Sequence, residues 1–505
     1  MTTPSAALID SLRKAVGADN VISDRDELLT YDCDGLTLHK AVPGAVVFVH
    51  STEEVSTVVK ACGAAKHAFV PRGAGTGLSG GALALDGAVV IELARMNRIL
   101  EINRADRYAA VEAGVINLQL TKACAPVAQA VQPVQPVAAS AGEDARATPV
   151  ALHYAPDPSS QGSCTIGGNV AENAGGPHTL KYGVTASHLL GLDVVLPSGE
   201  VVHLGGPPAG APGYDLCGLF AGSEGTFGIA TRIWVKLTPN PEAVKTLLAV
   251  FPSIDAATRA VSGIIAAGII PAALELIDQF IIRAVEAWLH LGFPLDAGAV
   301  LLIELDGLRD GLEPLAQRVG AVCREHGCLD LRTARDDAER ALLWKARKQA
   351  FGALGRISPS FYVQDGVIPR SKLPELLAQI AASARKYGLL VANVFHAGDG
   401  NLHPVIIFDD HDPKQEEKAL ACNSEIMLAV VAAGGALSGE HGIGIEKLGF
   451  MPRVYTEEDM DAMRRVRAVF DPDGLCNTGK AVPVRRCGEL KGQPQVAFGV
   501  KQAHA

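Results

Sequence analysis

The sequence predicts an α+β fold built from more than one domain. The chain has 505 residues, more than one hydrophobic core usually accommodates, and a hydrophobic fraction of 48% is ample for several cores. Strand-like apolar runs, such as Ala88 to Leu93 and Ala299 to Leu305, occur in the same chain as helical stretches such as Ala256 to Ala267. This mixture of run types indicates the α+β class.

A domain boundary is predicted at Thr238-Pro239-Asn240-Pro241, because these spaced prolines follow a strand-like run from Ala230 to Leu237. The first domain would span residues 1–238, and a second α+β domain would span 239–450. A helix near Thr456 to Val469 and the loop up to residue 480 would return to the first domain, leaving 481–505 as a tail. The Ala/Pro-rich segment 127–151 indicates an inserted surface loop or linker.

Composition excludes several classes of function. The net charge of −10 comes without a run of basic residues, which argues against nucleic acid or an anionic membrane surface as the main partner. The N-terminus lacks the pattern of a secretory signal, so we expect a cytoplasmic protein. The longest apolar run, Ala260 to Leu274, is interrupted and too short for direct membrane insertion. The ten cysteines include no Cys-x-x-Cys pair, so iron–sulfur clusters and zinc knuckles lack their usual ligand spacing.

A glycine-dense segment from Phe69 to Gly81 contains a formal Gly-x-Gly-x-x-Gly. A Rossmann motif of this kind must open a crossover helix, yet the next strand-like run starts too soon after Gly81 to leave room for one, which argues against NAD. A strand, a glycine loop and a second strand would instead present backbone N–H groups to a diphosphate, and the alternative is a glycine-rich hairpin without a ligand. The assigned residues are Pro71, Arg72, Gly73, Ala74, Gly75, Thr76, Gly77, Gly80 and Gly81.

Two further segments, 155–176 and 221–229, combine glycine with small and amide-bearing residues. Such residues let the backbone lie flat against a large planar ligand and form hydrogen bonds with its polar edge, and an isoalloxazine ring has this shape. The assigned residues are Pro156, Asp157, Ser159, Ser160, Thr165, Gly167, Gly168, Asn169, Asn173, Gly175, Gly176, Glu224, Gly225, Gly228 and Ile229.

A candidate metal site lies near the C-terminus, where His396, His403 and Glu440 stand in glycine-rich surroundings. Two imidazoles and a carboxylate suit a borderline divalent ion with one coordination position open for substrate, so we expect Zn²⁺, with Mn²⁺ or Fe²⁺ as alternatives. The neighbouring His441 would then be free to move protons. The simpler alternative is a pair of histidines that cap glycine turns. A metal-dependent hydrolase would use the same set but would leave the glycine segments without a role.

The three glycine segments together resemble the flavin domain of the vanillyl-alcohol oxidase superfamily. The stretches His396 to His403, Ser438 to Gly444 and Arg347 to Arg370 narrow the similarity to FAD-linked 2-hydroxyacid dehydrogenases, and above all to the bacterial glycolate oxidase type. This resemblance implies an FAD-binding domain of two subdomains, an α+β (ferredoxin-like) substrate cap, and a C-terminal helix that brings Asn477 and Lys480 to the cofactor. FAD is expected to bind non-covalently, although His178 could be read as an attachment point.

The resemblance implies oxidation of a small 2-hydroxy acid, glycolate or D-lactate, to the 2-oxo acid by hydride transfer to flavin N5, with the metal and His441 as base assisting. Arg347 is the candidate for the substrate carboxylate, since a guanidinium is a fixed two-pronged donor. Arg356 and Lys348 are weaker candidates, and Lys348 is more typical of a solvated helix face. The alternatives are a larger D-2-hydroxy acid, such as D-2-hydroxyglutarate, and a non-catalytic flavoprotein subunit.

Partner subunits are also implied by the resemblance. An iron–sulfur subunit and a second flavin-domain subunit would accept the electrons, and they could bring an otherwise cytoplasmic chain to a membrane. The missing cluster motifs in this chain fit that expectation, because electrons taken from the substrate would have to pass to another protein.

Overall fold

The computed structural model describes residues 3–125, 150–208, 210 and 212–483. Most of the predicted insertion at 127–151 and most of the predicted tail at 481–505 lie outside these ranges, and both therefore stay predictions. Short 3-10 helices lie at Ala18–Asn20, Leu29–Tyr31, Leu85–Gly87, Thr185–His188, Arg370–Lys372 and Leu448–Phe450.

The N-terminal part of the chain forms a four-stranded sheet with the strand order β1-β2-β4-β3. Strands β2, β3 and β4 are parallel to one another, and β1 is antiparallel to β2. Ser5 and Ser51 start the two longer helices by accepting hydrogen bonds from backbone N–H groups of the first turn. The bounds are α1 Ala6–Val16, β1 Val21–Ile22, α2 Arg25–Leu28, β2 Ala45–Phe48, α3 Thr52–Ala64, β3 Phe69–Arg72 and β4 Val89–Glu92.

The glycine-dense loop connects β3 to β4, as the sequence predicts. The two strands are parallel neighbours, with Phe69 opposite Val89, and the connection between them contains only the 3-10 helix Leu85–Gly87. It is therefore a crossover rather than a hairpin turn, because a hairpin would make the strands antiparallel. The glycines of the loop follow directly on the carboxyl end of β3.

The next part of the chain forms a five-stranded antiparallel sheet with the order β5-β6-β10-β8-β9, and β7 pairs separately with β11. Val111, Leu192 and Ile233 from its three central strands pack against Ile166 in one core. The bounds are β5 Ile99–Asn103, β6 Tyr108–Glu112, α4 Asn117–Cys124, β7 Leu152–His153, α5 Ile166–Glu172, α6 Thr179–Tyr182, β8 Leu189–Val195, β9 Val201–Gly205, α7 Leu216–Phe220, β10 Ile229–Lys236 and β11 Thr238–Pro239.

A large antiparallel sheet follows, with the order β15-β12-β14-β13-β18-β19-β17, and β20 pairs with both β18 and β16. The bounds are β12 Ala243–Phe251, α8 Ile254–Ala266, β13 Ala273–Asp278, α9 Gln279–Leu289, β14 Ala299–Gly307, α10 Arg309–Glu325, β15 Asp330–Thr333, α11 Asp337–Lys348, α12 Ala350–Leu354, β16 Ser360–Val363, β17 Gly366–Val367, α13 Leu373–Tyr387, β18 Leu390–His396, β19 Asn401–Leu402, β20 Pro404–Phe408 and α14 Pro413–Ala432.

Helices cover both faces of this large sheet. Along β14, Leu301 and Ile303 enter a core with α8, α10, α13 and α14, while Val300 and Leu302 enter a core with α9, α11 and α12. Successive side chains of a strand point to opposite faces, so a strand covered on both faces is apolar throughout. This explains the apolar run from Ala299 to Ile303 in β14.

The C-terminal elements return to the first sheet. Helices α15 Met451–Val454 and α16 Glu457–Phe470 follow the large sheet, and α16 begins with a capping box between Thr456 and Asp459. The loop after α16 joins β3, because the Phe69 N–H donates to the Leu475 carbonyl at 3.0 Å and the Asn477 N–H donates to the Phe69 carbonyl at 2.8 Å. Within the described ranges, no helix combines the length and apolarity needed to cross a bilayer.

Candidate active site

A cavity of about 380 Å³ lies where the three glycine segments meet residues of α11 and the loops that follow β19 and α14. Its lining includes Arg347 from α11 and His403, Glu440 and His441 from the loops. It also includes most of the predicted cofactor residues, namely Pro71, Arg72, Gly73, Ala74, Gly75, Thr76, Gly77, Gly81, Ser159, Ser160, Thr165, Gly167, Gly168, Asn169, Glu224, Gly225, Gly228, Ile229 and Asn477.

The remaining predicted cofactor residues, Gly80, Pro156, Asp157, Asn173, Gly175, Gly176 and Lys480, do not line the cavity. One of them, Lys480, supports residues that do. Lys480 Nζ donates to the Gly81 carbonyl at 2.8 Å and to Asn477 Oδ1 at 2.6 Å, so its ammonium supports two lining residues. The Asp157 carboxylate accepts hydrogen bonds from the backbone N–H and the ring of His178.

The glycine loop fits a ligand that approaches backbone closely. Gly75 has φ +63°, a conformation that favours glycine, and a Cβ there would lie 2.3 Å from Arg72 Nη2. At Gly77 a Cβ would have no neighbour closer than Asp34 Oδ2 at 4.0 Å, so packing does not require glycine at this lining position. An absent side chain there keeps backbone N–H groups accessible from the cavity, which suits a diphosphate.

The lining also includes Lys348, Phe351 and Glu172, which the sequence did not assign to the cofactor. The prediction that Lys348 lies on a solvated helix face is corrected by the structure. The end of α11 faces the cavity, and Lys348 Nζ lies 3.8 Å from Asp157 Oδ2. Phe351 lines the cavity from α12. Glu172 lies inside a predicted segment, and burial together with the Glu224 and Asp34 carboxylates raises its pKa well above the ordinary value. By contrast, the weaker candidate Arg356 packs over the Trp288 ring, outside the lining.

The predicted metal ligands lie together. His396 Nε2 and His403 Nε2 are each 3.1 Å from Glu440 Oε1, and both imidazoles are buried. The other ring nitrogens are also bonded: His396 Nδ1 lies 2.8 Å from Glu275 Oε1, and His403 Nδ1 lies 3.1 Å from the Gln364 carbonyl. A carboxylate or carbonyl on Nδ1 leaves Nε2 as the coordinating atom, so this donor set fits a divalent ion such as Zn²⁺.

The loop that carries Glu440 and His441 is organised by one buried carboxylate. Asp365 accepts hydrogen bonds from the backbone N–H groups of Gly439 at 3.0 Å and His441 at 2.9 Å, and its carboxylate also lies within 3.3 Å of the Glu440 N–H. The fully buried Lys447 ammonium lies 3.1 Å from the same carboxylate. Burial opposes the charge of Asp365, but Lys447 and nearby histidines outweigh it and hold the pKa of Asp365 far below its ordinary value.

The His441 ring stacks on the His403 ring with centroids 5.0 Å apart and an interplanar angle of 4°. Its Nδ1 is buried and has no hydrogen-bond partner among the described residues. Burial lowers the pKa of His441 to about 4, so the imidazole is neutral at neutral pH. A neutral ring with a bare nitrogen beside the cavity can accept a proton.

Arg347 is 1% exposed and is held by Glu275, which receives a hydrogen bond from Arg347 Nε at 2.6 Å. Arg347 Nη1 is buried and has no partner within the described part of the chain. A guanidinium that uses one edge for a structural ion pair and keeps another donor free can bind an anionic group of a ligand.

His178 lies at the junction of the first sheet system with the large sheet. Its Nδ1 is 2.9 Å from Asp157 Oδ2 and its Nε2 is 3.2 Å from Glu304 Oε1. Burial alone would lower the pKa of His178, but the two carboxylates outweigh it and raise the pKa to about 10. Both ring nitrogens are therefore engaged, and His178 is outside the cavity lining.

Family comparisons agree with this arrangement. The family described as "FAD binding domain" matches residues 43–142 and 144–205, and the family described as "FAD linked oxidases, C-terminal domain" matches residues 240–481. Glycolate oxidase subunit GlcD of Escherichia coli (strain K12) is 44% identical over 96% of this chain and 93% of its own length. The subunit of the same name from Bacillus subtilis (strain 168) is 38% identical over 93% of this chain and 96% of its own length.

Among solved structures, 4-ethylphenol oxidase from Gulosibacter chungangensis shares the fold with a TM-score of 0.76 and 20% identity, over 95% of this chain and 99% of its own. The resemblance and the α+β fold class inferred from the sequence are thus confirmed. On the strength of these matches, the chain is an FAD-binding enzyme and belongs to the family of FAD-linked oxidases.

Proposed function

We propose that this chain oxidises a small 2-hydroxy acid, glycolate or D-lactate, to the corresponding 2-oxo acid, with FAD as the two-electron acceptor. The similarity to glycolate oxidase subunits supports hydroxy acid oxidation as the class of reaction. The observation that carries the proposal is local. Arg347, His403, Glu440 and His441 line the same cavity as the glycine segments, which supports a site where an anion binder, metal ligands and a proton acceptor would lie beside the cofactor.

Arg347 would bind the substrate carboxylate through Nη1, the buried atom for which the described part of the chain provides no partner. Because Arg347 Nε is fixed by Glu275 at 2.6 Å, the guanidinium is already oriented before substrate arrives. A charged hydrogen bond formed in a dry cavity is stronger than one in water, so a single arginine could hold a small acid in one orientation.

His441 would accept the hydroxyl proton. Burial lowers the pKa of His441 to about 4, its Nδ1 has no partner in the described ranges, and its backbone N–H donates to Asp365 at 2.9 Å, which supports a neutral and positioned base. A positioned base of this kind typically contributes about 10²- to 10⁴-fold to the rate. Bound non-covalently, FAD would supply the hydride acceptor, and a divalent ion held by His396, His403 and Glu440, Zn²⁺ first, would supply a Lewis acid.

A larger D-2-hydroxy acid with a second carboxylate is the other candidate substrate, and Lys348 favours it. The Lys348 ammonium lines the cavity next to Arg347, and its nearest ion-pair contact, with Asp157, is long at 3.8 Å. A second cation beside the first would suit a dicarboxylate such as D-2-hydroxyglutarate.

We also propose a role for each part of the chain. Residues 1–238 would bind FAD, 239–450 would form the substrate cap with the metal site, and 451–480 would return to the FAD domain. The relatives named as subunits support partner proteins for this chain. We propose that an iron–sulfur subunit and a second flavin-domain subunit accept the electrons, and that these partners determine any association of a cytoplasmic chain with a membrane.

The decisive experiment is anaerobic titration of the purified, FAD-loaded chain with glycolate, D-lactate, L-lactate and D-2-hydroxyglutarate in separate cuvettes. We expect glycolate or D-lactate to bleach the flavin band and L-lactate to leave it unchanged. Bleaching by D-2-hydroxyglutarate alone would favour the second candidate, and Lys348→Met would then abolish it. A flavin band that none of the four acids bleaches would contradict both.

A further inference from the structure

Glu275 is a fully buried carboxylate in the middle of β13, and each of its oxygens has a different partner. Oε2 accepts a hydrogen bond from Arg347 Nε at 2.6 Å, and Oε1 lies 2.8 Å from His396 Nδ1. One partner is the proposed substrate binder and the other is a proposed metal ligand. The sequence marks neither contact, because Glu275 lies inside an apolar strand-like run far from both partners along the chain.

A charge at this depth requires compensation, since burial disfavours an isolated carboxylate by several kcal/mol. Burial alone would raise the pKa of Glu275, but Arg347 and His396 outweigh it, so the pKa lies below its ordinary value. The two partners therefore account for the presence of the charge. Conversely, because the Glu275 carboxylate occupies one nitrogen of Arg347 and one of His396, it determines which nitrogens of these two residues remain for other contacts.

We propose that Glu275 is a positioning residue that couples the two halves of the site, aligning His396 for the metal and Arg347 for the substrate carboxylate. The inference rests on the proposed function. At His396, the carboxylate keeps the proton on Nδ1 and leaves Nε2 facing Glu440 Oε1 at 3.1 Å. At Arg347, which lines the cavity, it occupies Nε and leaves Nη1 without a partner among the described residues.

A glutamine at 275 cannot satisfy both partners. An amide has one acceptor oxygen and one donor nitrogen, while Arg347 Nε–H and His396 Nδ1–H both need an acceptor. Either the arginine or the imidazole must turn away, or the histidine must move its proton to the coordinating nitrogen. Aspartate keeps the charge but is one methylene shorter, so it can reach only one of the two partners at a time.

The experiment measures Zn²⁺ affinity directly. The FAD-loaded full chain is stripped with a chelator and titrated with Zn²⁺ against a chromogenic competitor, and KM and kcat for glycolate or D-lactate are measured on the reloaded protein. For Glu275→Gln we expect Zn²⁺ affinity to fall about 10- to 100-fold with unchanged flavin content. The same variant should raise KM, and Glu275→Asp should lie between it and the parent in Zn²⁺ affinity.

Asp278→Asn is the matched control. Asp278 is another buried carboxylate of β13 and also binds β18, through the Asn393 backbone N–H at 2.6 Å, but it touches neither Arg347 nor His396. We expect this variant to lose thermal stability and keep the parent Zn²⁺ affinity. Equal weakening of Zn²⁺ binding in Asp278→Asn would overturn the inference, since the effect would then belong to any buried charge of the strand.

Parent-like Zn²⁺ affinity in Glu275→Gln would overturn the inference and leave the proposed metal site intact. If Glu275→Gln does not fold, Glu275→Asp decides in its place: weaker Zn²⁺ binding supports the coupling, and parent-like binding overturns it. A parent chain that takes up no Zn²⁺ would overturn the proposed metal site together with this inference, so the two failures are distinguishable.

Discussion

His441 and Arg347 both lie beside the cavity, but they are held in different ways. The His441 ring has a nitrogen without a partner among the described residues and is held by its backbone N–H and by stacking on His403, whereas Arg347 is anchored through its own side chain. Replacing the first should therefore remove a proton acceptor, and replacing the second should disturb ligand binding. Substitutions of these two residues should therefore have different effects, one on the rate of catalysis and the other on the affinity for substrate.

For His441→Gln we expect turnover to fall about 10²- to 10⁴-fold, because the proposed base is lost. Flavin absorbance per chain and the melting temperature should stay near those of the parent. Stopped-flow reduction of the flavin measures the effect. His188→Gln is the control, since His188 is also buried but lies outside the cavity lining. A His441→Gln enzyme that reduces its flavin at the parent rate would rule out the proposed base.

For Arg347→Lys we expect KM for the 2-hydroxy acid to rise roughly 10- to 100-fold, the loss of one charged hydrogen bond. A lysine has one nitrogen and cannot bind Glu275 and the substrate in the fixed geometry of a guanidinium. Arg340→Lys is the matched control, because Arg340 lies two turns earlier on α11 and pairs with another buried carboxylate, Glu304. Steady-state kinetics would contradict the assignment if both variants raised KM equally.

Single residues of the site differ in how far the sequence reveals them. His396, His403, Glu440 and His441 stand in short glycine-rich stretches, where a buried imidazole or carboxylate has few structural explanations. Glu275 gives no such signal, because its strand is apolar on both sides and its partners follow 72 and 121 residues later. Linear spacing carries information about ligands that share a loop, but not about a contact made by strand pairing.

At the scale of elements, the loop from Ser438 to His441 depends on Asp365, which lies just before β17. Its carboxylate takes hydrogen bonds from the Gly439 and His441 N–H groups and from the Ser438 hydroxyl, and it pairs with buried Lys447. The loop has no regular secondary structure of its own. Its conformation is set by one acceptor group, which explains why the sequence motif predicts the ligands but not what holds them.

Asp365→Asn should lower the free energy of unfolding by about 3–5 kcal/mol, because it removes the nearest charge partner of the buried Lys447 ammonium and leaves only the longer contact with Glu446 at 3.8 Å. We also expect weaker Zn²⁺ uptake, since the amide presents a donor to backbone N–H groups that need an acceptor. Urea unfolding and Zn²⁺ titration of the same preparation measure both effects. Asp471→Asn is the control, because Asp471 organises the Leu475–Cys476 backbone in the same manner, away from the metal ligands. Equal Zn²⁺ affinity in both variants would contradict the role of Asp365.

Elements of regular structure were predictable where their pattern is local. Strands near Ala88 to Leu93, Ala230 to Leu237 and Ala299 to Leu305 correspond to β4, β10 and β14, and the helix after Thr456 corresponds to α16 with its capping box. Their pairing was not predictable in the same way. The parallel pairing of β3 with β4 depends on a crossover without an α-helix. The glycine-rich sequence predicts a loop there but does not indicate whether the two strands are parallel or antiparallel.

At the scale of the whole molecule, the parts of the chain that line the cavity are joined by buried charges. Glu224, from the third glycine segment, accepts hydrogen bonds from the Ile443 and Gly444 N–H groups next to the metal-ligand loop. His178 connects Asp157 near the cavity to Glu304 in the large sheet. The contacts of His178 with Glu304 and of Glu224 with Ile443 join residues 126 and 219 positions apart, so they depend on the folded chain and leave no local pattern.

The His178 contact makes stability depend on pH in a direction that can be worked out. Its pKa rises from the ordinary 6.5 to about 10 in the folded chain, so folding favours the protonated imidazole. The stabilisation is complete below pH 6.5 and is lost as pH rises toward 10. We expect the free energy of unfolding to fall across this range, and His178→Gln to remove that fall. Urea unfolding at several pH values checks this, and the parent-minus-variant difference cancels other titrating groups. A difference that stays constant from pH 6.5 to pH 10 would show that the imidazole is neutral in the fold and that Asp157 and Glu304 do not hold it as a cation.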